Sequence, residues 1–307
     1  MDPTHVHLLL NHVPTIGFGI AVAIFALSLR VNSHDLKVTG LVLFVLVAIA
    51  TLPAYVTGNA AQIHLFEVDA DVSQSLIETH EGGAFLAMVA MEVTGALAWL
   101  ALWTLRRTSR LSSAMGSAIL ALSAVTFLLM AQTARIGGEI NHPEIRSAQE
   151  PTFIGPLARV VGDYVRDTPW TWITAETLHF IGLSLLLGVV LVINLRMLGL
   201  ARRLPFSALD RLLPWAMLGF ALNTLTGMLF IAASYGQYVA STTIYWKLFF
   251  IVLAAVNTLY FTFDRTWLLG TDREAPALSK AAAATALVLW VGVLYWGSML
   301  PFIGTAF

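Results

Sequence analysis

Eight stretches of mostly apolar residues, at about 8–30, 37–57, 83–105, 113–135, 171–196, 212–233, 243–263 and 280–303, alternate with runs that carry charge. A helix needs about 20 apolar residues to cross the hydrocarbon core, so each stretch predicts a transmembrane helix. The basic residues are distributed unevenly between the connections. Those after spans one, three, five and seven hold Arg30 and Lys37; Arg106, Arg107 and Arg110; Arg196, Arg202, Arg203 and Arg211; and Arg265, Arg273 and Lys280, twelve of the 17 Lys and Arg. The opposite side holds Arg135, Arg146, Arg159 and Arg166, with Lys247 near the outer end of span seven. The positive-inside rule puts the basic connections in the cytoplasm and both termini outside. The pattern predicts an all-α integral membrane protein, N-out and C-out.

Two outer connections are long, roughly 58–82 and 136–170, and both mix apolar with charged residues. They are acidic: Glu67, Asp69, Asp71 and Glu78 in one, Glu139, Glu144, Glu150, Asp163 and Asp167 in the other. Within the second, "FIGPLARVVGDYVRD" has the pattern of a short amphipathic helix on the membrane surface. The chain divides into a four-helix membrane domain (1–136), an outer connecting loop (137–170) and a second four-helix membrane domain (171–307). Both sets begin outside, which makes a parallel duplication topologically possible. His12 precedes Arg30 by 18 residues and His179 precedes Arg196 by 17, a faint echo of that kind.

Composition then narrows the chemistry. Of 307 residues, 58% are hydrophobic and 11% charged, with a mean hydropathy of +0.78; a soluble domain carries roughly 25% charge. The net charge of −1, without a basic stripe, argues against nucleic acid. With no cysteine, disulfides, thiolate metal sites and covalently attached c-type haem are excluded. A redox metal would be held by histidine, with methionine or carboxylate as lesser candidates. The N-terminus "MDPTHVHLLLNHV" lacks a basic n-region and a cleavage site, so the first apolar stretch reads as a retained helix. Neither a P-loop nor G-x-S-x-G nor H-E-x-x-H occurs.

Of the eight histidines only His34 falls on the inner side; His5, His7, His12, His64, His80, His142 and His179 fall at the outer face. His5, His7, His64 and His142 read as solvated residues of loops and span ends. His5 and His12 share a helical stripe, whereas His7 and His12 lie about 140° apart and cannot easily serve one metal from a regular helix. Pro14 can bend or start the helix there. His12, above Gly17 and Gly19, and His80, followed by Gly82 and Gly83, enter from the same surface on spans that run the same way. Two histidines on different helices of a bundle are a common way to hold a b-type haem (heme b); the alternative is a pair of interfacial residues bonded to headgroups or loop carbonyls.

His179 lies about 13 Å below Trp170 at 1.5 Å per residue, with Glu176 one turn before it. The pair reads either as a proton-handling site beside a second haem or a quinone, or as a structural bond between helices. Glu92 is the other mid-span acid, with Asn223 or Asn257 as candidate partners. Lys247 reads as a headgroup anchor or a propionate partner. Met88 and Met91 read as packing.

"HLLLNHVPTIG", with His7, His12 and Pro14, together with His80 opening the third span, resembles a bacterial family of four-helix membrane domains with an H-x4-H-x-P start. "ETLHFIGLSLLLGVVLVINLRMLGL", followed by "PWAMLGFALNTLTGMLF" and "YWKLFF", resembles a second bacterial membrane family with an E-x-L-H-x-x-G motif. Asn194 stands where that pattern has Asp, which puts any role of the acid in question. The resemblance implies histidine-centred modules, similar to b-type cytochrome membrane modules, fused in tandem in a bacterial inner (cytoplasmic) membrane with periplasmic termini. The expectation is a membrane-embedded electron-transfer subunit, at most a quinone-linked redox subunit of an oxidoreductase complex. His12 and His80 would ligate haem, Glu176 and His179 would line a second haem or quinone site, and electrons would pass to or from a periplasmic cytochrome or oxidoreductase. A cofactor-free anchor or assembly subunit is the alternative, and a proton-coupled transporter using Glu92, Glu176 and His179 ranks third.

Overall fold

The computed structural model describes residues 3–68, 73–142, 156–269 and 273–300. Among them there is no strand, and eight helical segments are long and apolar enough to cross a membrane. The first span joins α1 (Pro3–Leu10) to α2 (Phe18–Arg30) through a π turn at Val13–Gly17. Pro14 lies in that turn; its missing N–H cannot close a regular turn, and the wider turn absorbs the gap. The next three spans are α3 (His34–Val68), α4 (Gln74–Thr108) and α5 (Ser113–Asn141). A short helix, α6 (Leu157–Asp167), precedes α7 (Pro169–Met197). After α8 (Phe206–Asp210) come α9 (Leu213–Ala240), α10 (Thr242–Phe263) and α11 (Ala277–Met299).

The expected connection at 58–82 is almost entirely helix, because α3 continues to Val68 and α4 begins at Gln74. Hydropathy registers where lipid ends, not where a helix ends. "NAAQIHLFEV" and "QSLIETHEGG" continue the 3.6-residue periodicity beyond the apolar stretch. Of the 136–170 connection, the amphipathic helix is present as α6, seated on α9. Gly162 makes that seat possible, since a Cβ there would run into the Ala232 carbonyl. Asp69, Asp71, Glu144, Arg146 and Glu150 lie outside the described residues.

Spans one to four form a ring: the first span packs on α3, α3 on α4, α4 on α5, and α5 returns to α2 and the π turn. Spans five to eight repeat that order, α7 with α9, α10 with α11, and α11 with α7. One side of the second ring is open. α9 and α10, joined only by Ser241, diverge and barely touch. The opening is filled by α3 and α4, which contact both helices and so join the two halves. Trp99 of α4 donates to Thr262 Oγ1 of α10 at 2.8 Å within this contact.

At the end bearing the arginine-rich connections, Arg106 and Arg107 of α4 both pair with Asp210 of α8, the second at 3.4 Å, and Trp103 Nε1 donates to the Asp210 carbonyl at 3.2 Å. Arg196, which charge counting assigns to a loop, is buried; it donates to the carbonyls of Leu204 (2.8 Å) and Arg273 (3.3 Å) and lies 3.9 Å from the Phe206 ring centre. Asp210→Ala strands two guanidiniums beside a buried carbonyl, so we expect a loss of about 1–3 kcal/mol. Thermal unfolding in detergent measures it, and an unchanged midpoint would show that the clamp contributes nothing.

Candidate functional site

His7 and His80 sit at the end of the first ring that carries the N-terminus, on spans diagonally opposite in it. Each imidazole is held by the neighbouring span in the same way. His7 Nδ1 lies 3.0 Å from the Ala54 carbonyl of α3, and a Cβ on Gly58, one turn further, would come within 2.9 Å of the His7 Cε1. His80 Nδ1 lies 3.0 Å from the Thr133 carbonyl of α5, and a Cβ on Gly137, again one turn further, would come within 3.0 Å of the His80 Cε1. A carbonyl only accepts, so in both rings Nδ1 carries the proton and Nε2 keeps a lone pair. The two imidazoles are close enough for a charge on one to act on the other.

The sequence reading paired His80 with His12. The structure does not bring those two together: His12 is exposed on the lipid-facing side of the first span, as is His5 on the same stripe. His7 and His12, about 140° apart along the first span, point to different sides: His7 is bonded to α3, and His12 is exposed. Gly17 and Gly19 pointed to the wrong one, because they serve helix packing against Val47 and Phe127. A signal for His7 existed in Gly58 and Gly137, two glycines placed alike near the ends of even-numbered spans.

His179 of α7 is also fixed from a neighbouring helix, with Nδ1 2.8 Å from Thr226 Oγ1 of α9. Thr226 spends its own proton on the Leu222 carbonyl at 2.7 Å. Its oxygen therefore accepts from His179, which again leaves Nε2 with the lone pair. Gly227 lies beneath, 3.8 Å from the His179 Cε1 to its would-be Cβ, and the Phe230 ring is 5.6 Å away. Glu176 is exposed and no described bond joins it to His179; the three-residue step places the two 60° apart, and Thr226 draws the imidazole inward. Gly182, three residues after His179, is taken up by the crossing of α7 with Gly219 and Asn223 of α9.

Glu92 is buried in mid-span with Oε1 unbonded. Asn223 and Asn257 donate instead to the carbonyls of Gly219 (3.1 Å) and Ala282 (3.2 Å). Met91 Sδ meets the Thr51 hydroxyl at 2.7 Å, a packing contact. The acids of the outer connections are partly spent on neighbours: Glu78 on Arg159 (2.9 Å), Asp163 and Asp167 on Arg166 (2.7 and 2.9 Å), and Glu139 on Arg135.

No protein-family model, curated protein or solved structure matches the chain. The site must be judged on its own chemistry. Among the described residues no three His, Asp or Glu side chains gather as they would around a bare metal ion. A haem asks for less, since its ring supplies four nitrogens and the protein needs to add only two. Imidazoles with Nδ1 tied to a carbonyl and Nε2 free are the usual form of such ligands, because the bond fixes both tautomer and ring orientation. His7 and His80 fit that requirement.

Proposed function

We propose that the protein is a membrane-embedded electron-transfer subunit that holds a b-type haem between His7 and His80, near the end of the bundle that carries both termini. One observation supports this above the others. Two imidazoles on diagonal spans of one ring are each pinned through Nδ1 to a carbonyl, over a glycine, with Nε2 left as a donor to metal. A structural histidine at a membrane end has no need of such matched support. The bound haem would supply reversible one-electron transfer. The chain's own part is to orient both rings through Ala54 and Thr133 and to keep Nε2 basic.

The positive-inside rule supports a periplasmic orientation of this end in a bacterial inner membrane; on that reading the redox partner would be a periplasmic cytochrome or oxidoreductase subunit. The deciding experiment is a dithionite-reduced minus oxidised visible spectrum of the natively purified protein, with haem quantified as its pyridine complex. A low-spin b-type spectrum at one haem per chain is the expected result. Protein isolated with its native partners but without haem in this chain would end the proposal and favour an anchoring role.

A further inference from the structure

The support given to His7 and His80 recurs in the second ring. Span five places His179 over Gly227 of span six, and span seven places Lys247 over Gly297 of span eight, with Nζ 3.6 Å from that glycine's would-be Cβ. In all four helical hairpins a basic side chain on the odd-numbered span therefore lies against a glycine of the even-numbered span. His179 and Lys247 occupy the diagonal positions of the second ring that His7 and His80 occupy in the first, and they too interact electrostatically.

The chemistry of this second pair differs from that of the first. His179 offers a lone pair at Nε2, fixed by Thr226, and Lys247 offers an ammonium group with no acid bonded to it in the described residues. Aromatic rings lie on the helices that carry the pair: Phe230 is 5.6 Å from His179 and Trp172 is 4.9 Å from Phe230, while Trp246 and Trp296, sequence neighbours of Lys247 and Gly297, stack on each other at 5.8 Å. An acceptor and a strong donor set among aromatic rings inside a membrane suit a flat apolar molecule whose oxygen can both give and receive a hydrogen bond. A phenolic hydroxyl does both, donating to His179 Nε2 and accepting from Lys247. Its oxidised carbonyl keeps the bond from Lys247.

We propose that His179 and Lys247 bind the head group of a membrane quinone or quinol. The side of the ring left open between α9 and α10 is closed by α3 and α4, the helices that carry Gly58 and His80. The quinone site thus faces the half that holds the dihistidine pair. Binding of the head group does not depend on haem at His7 and His80, and it is measurable without it.

The test uses the full chain in lipid nanodiscs and decylubiquinone as the probe, followed by quenching of tryptophan fluorescence. Wild-type protein should show saturable quenching above the level given by partition into empty nanodiscs. His179→Ala and Lys247→Met should each weaken binding at least tenfold. Thr226→Val, which keeps volume but frees the imidazole, should weaken it several-fold and serves if either of the others fails to fold. His12→Ala, at an exposed position outside both sites, should bind as wild type, and wild-type protein prepared without haem should bind equally well, so loss of the haem reading would leave this result untouched. Quenching no greater than partition, or unchanged affinity in correctly folded Lys247→Met, would overturn the proposal. A second haem per chain that disappears in His179→Ala would overturn it too, by giving the site to a different occupant.

Discussion

Replacing either His7 or His80 with alanine is expected to abolish the low-spin b-type spectrum, whereas His12→Ala should leave it intact. A ligating imidazole would have no substitute on the same span: His12 and His5 are exposed on its outer side, and no cysteine exists in the chain. The supporting positions should give graded effects. Gly58→Val or Gly137→Val would drive a side chain into the ring from below, since even a Cβ there lies 2.9 or 3.0 Å from Cε1. These variants keep both ligands yet should lose most of the haem, read as pyridine complex per chain. Retention of the spectrum in both His7→Ala and His80→Ala would remove the dihistidine assignment, whereas its loss in His12→Ala and His80→Ala but not in His7→Ala would restore the pairing read from sequence.

The second large effect concerns the crossing of α7 and α9. A Cβ on Gly219 would lie 2.7 Å from the Gly182 carbonyl and 2.8 Å from the Leu186 nitrogen, both backbone atoms of α7 that no rotamer change can move. Close approach of small residues is how helices associate inside lipid, where no hydrophobic force separates helix from tail. Gly219→Ala should therefore lower the thermal midpoint in detergent, by about 1–3 kcal/mol as for overpacking in general. Gly219→Leu should prevent recovery of monodisperse protein. Gly188→Ala, on the same α7 but with nothing within 4 Å of its Cβ, should be neutral or slightly stabilising, since alanine loses less backbone entropy than glycine. A Gly219→Leu protein that melts like the wild type would mean that the two helices are not in contact there.

Much of the architecture was legible in the apolar pattern because the bilayer imposes it. Every span must hide its backbone polar groups in a helix, so a run of about 20 apolar residues leaves little choice of structure. The ends of the helices were less legible. Past Thr57, α3 leaves the apolar region but not the helix, and its acids and His64 look like loop residues to a scale that measures transfer into lipid.

The candidate site was readable by residue type but not by partner. Sequence spacing established that His7 and His12 point apart, and that His179 lies too deep for an ordinary surface residue. Which of the first two turns inward depends on the π turn at Val13–Gly17 and on a carbonyl 47 residues away, and neither is encoded locally. The nearest acid in sequence suggested Glu176 as the partner of His179, yet Thr226, also 47 residues away, holds the ring. Lys247, on the span diagonal to that of His179, became informative only when Gly297 was found against it.

The sequence by itself determined that this protein lives in a membrane, how many times it can cross and where its polar side chains fall in depth, because these follow from the cost of placing polar groups in hydrocarbon. The tertiary structure alone decided which basic side chains share an interior and which nitrogen each one presents. Rotation about a helix axis and the choice of neighbour are set by packing between segments far apart in the chain.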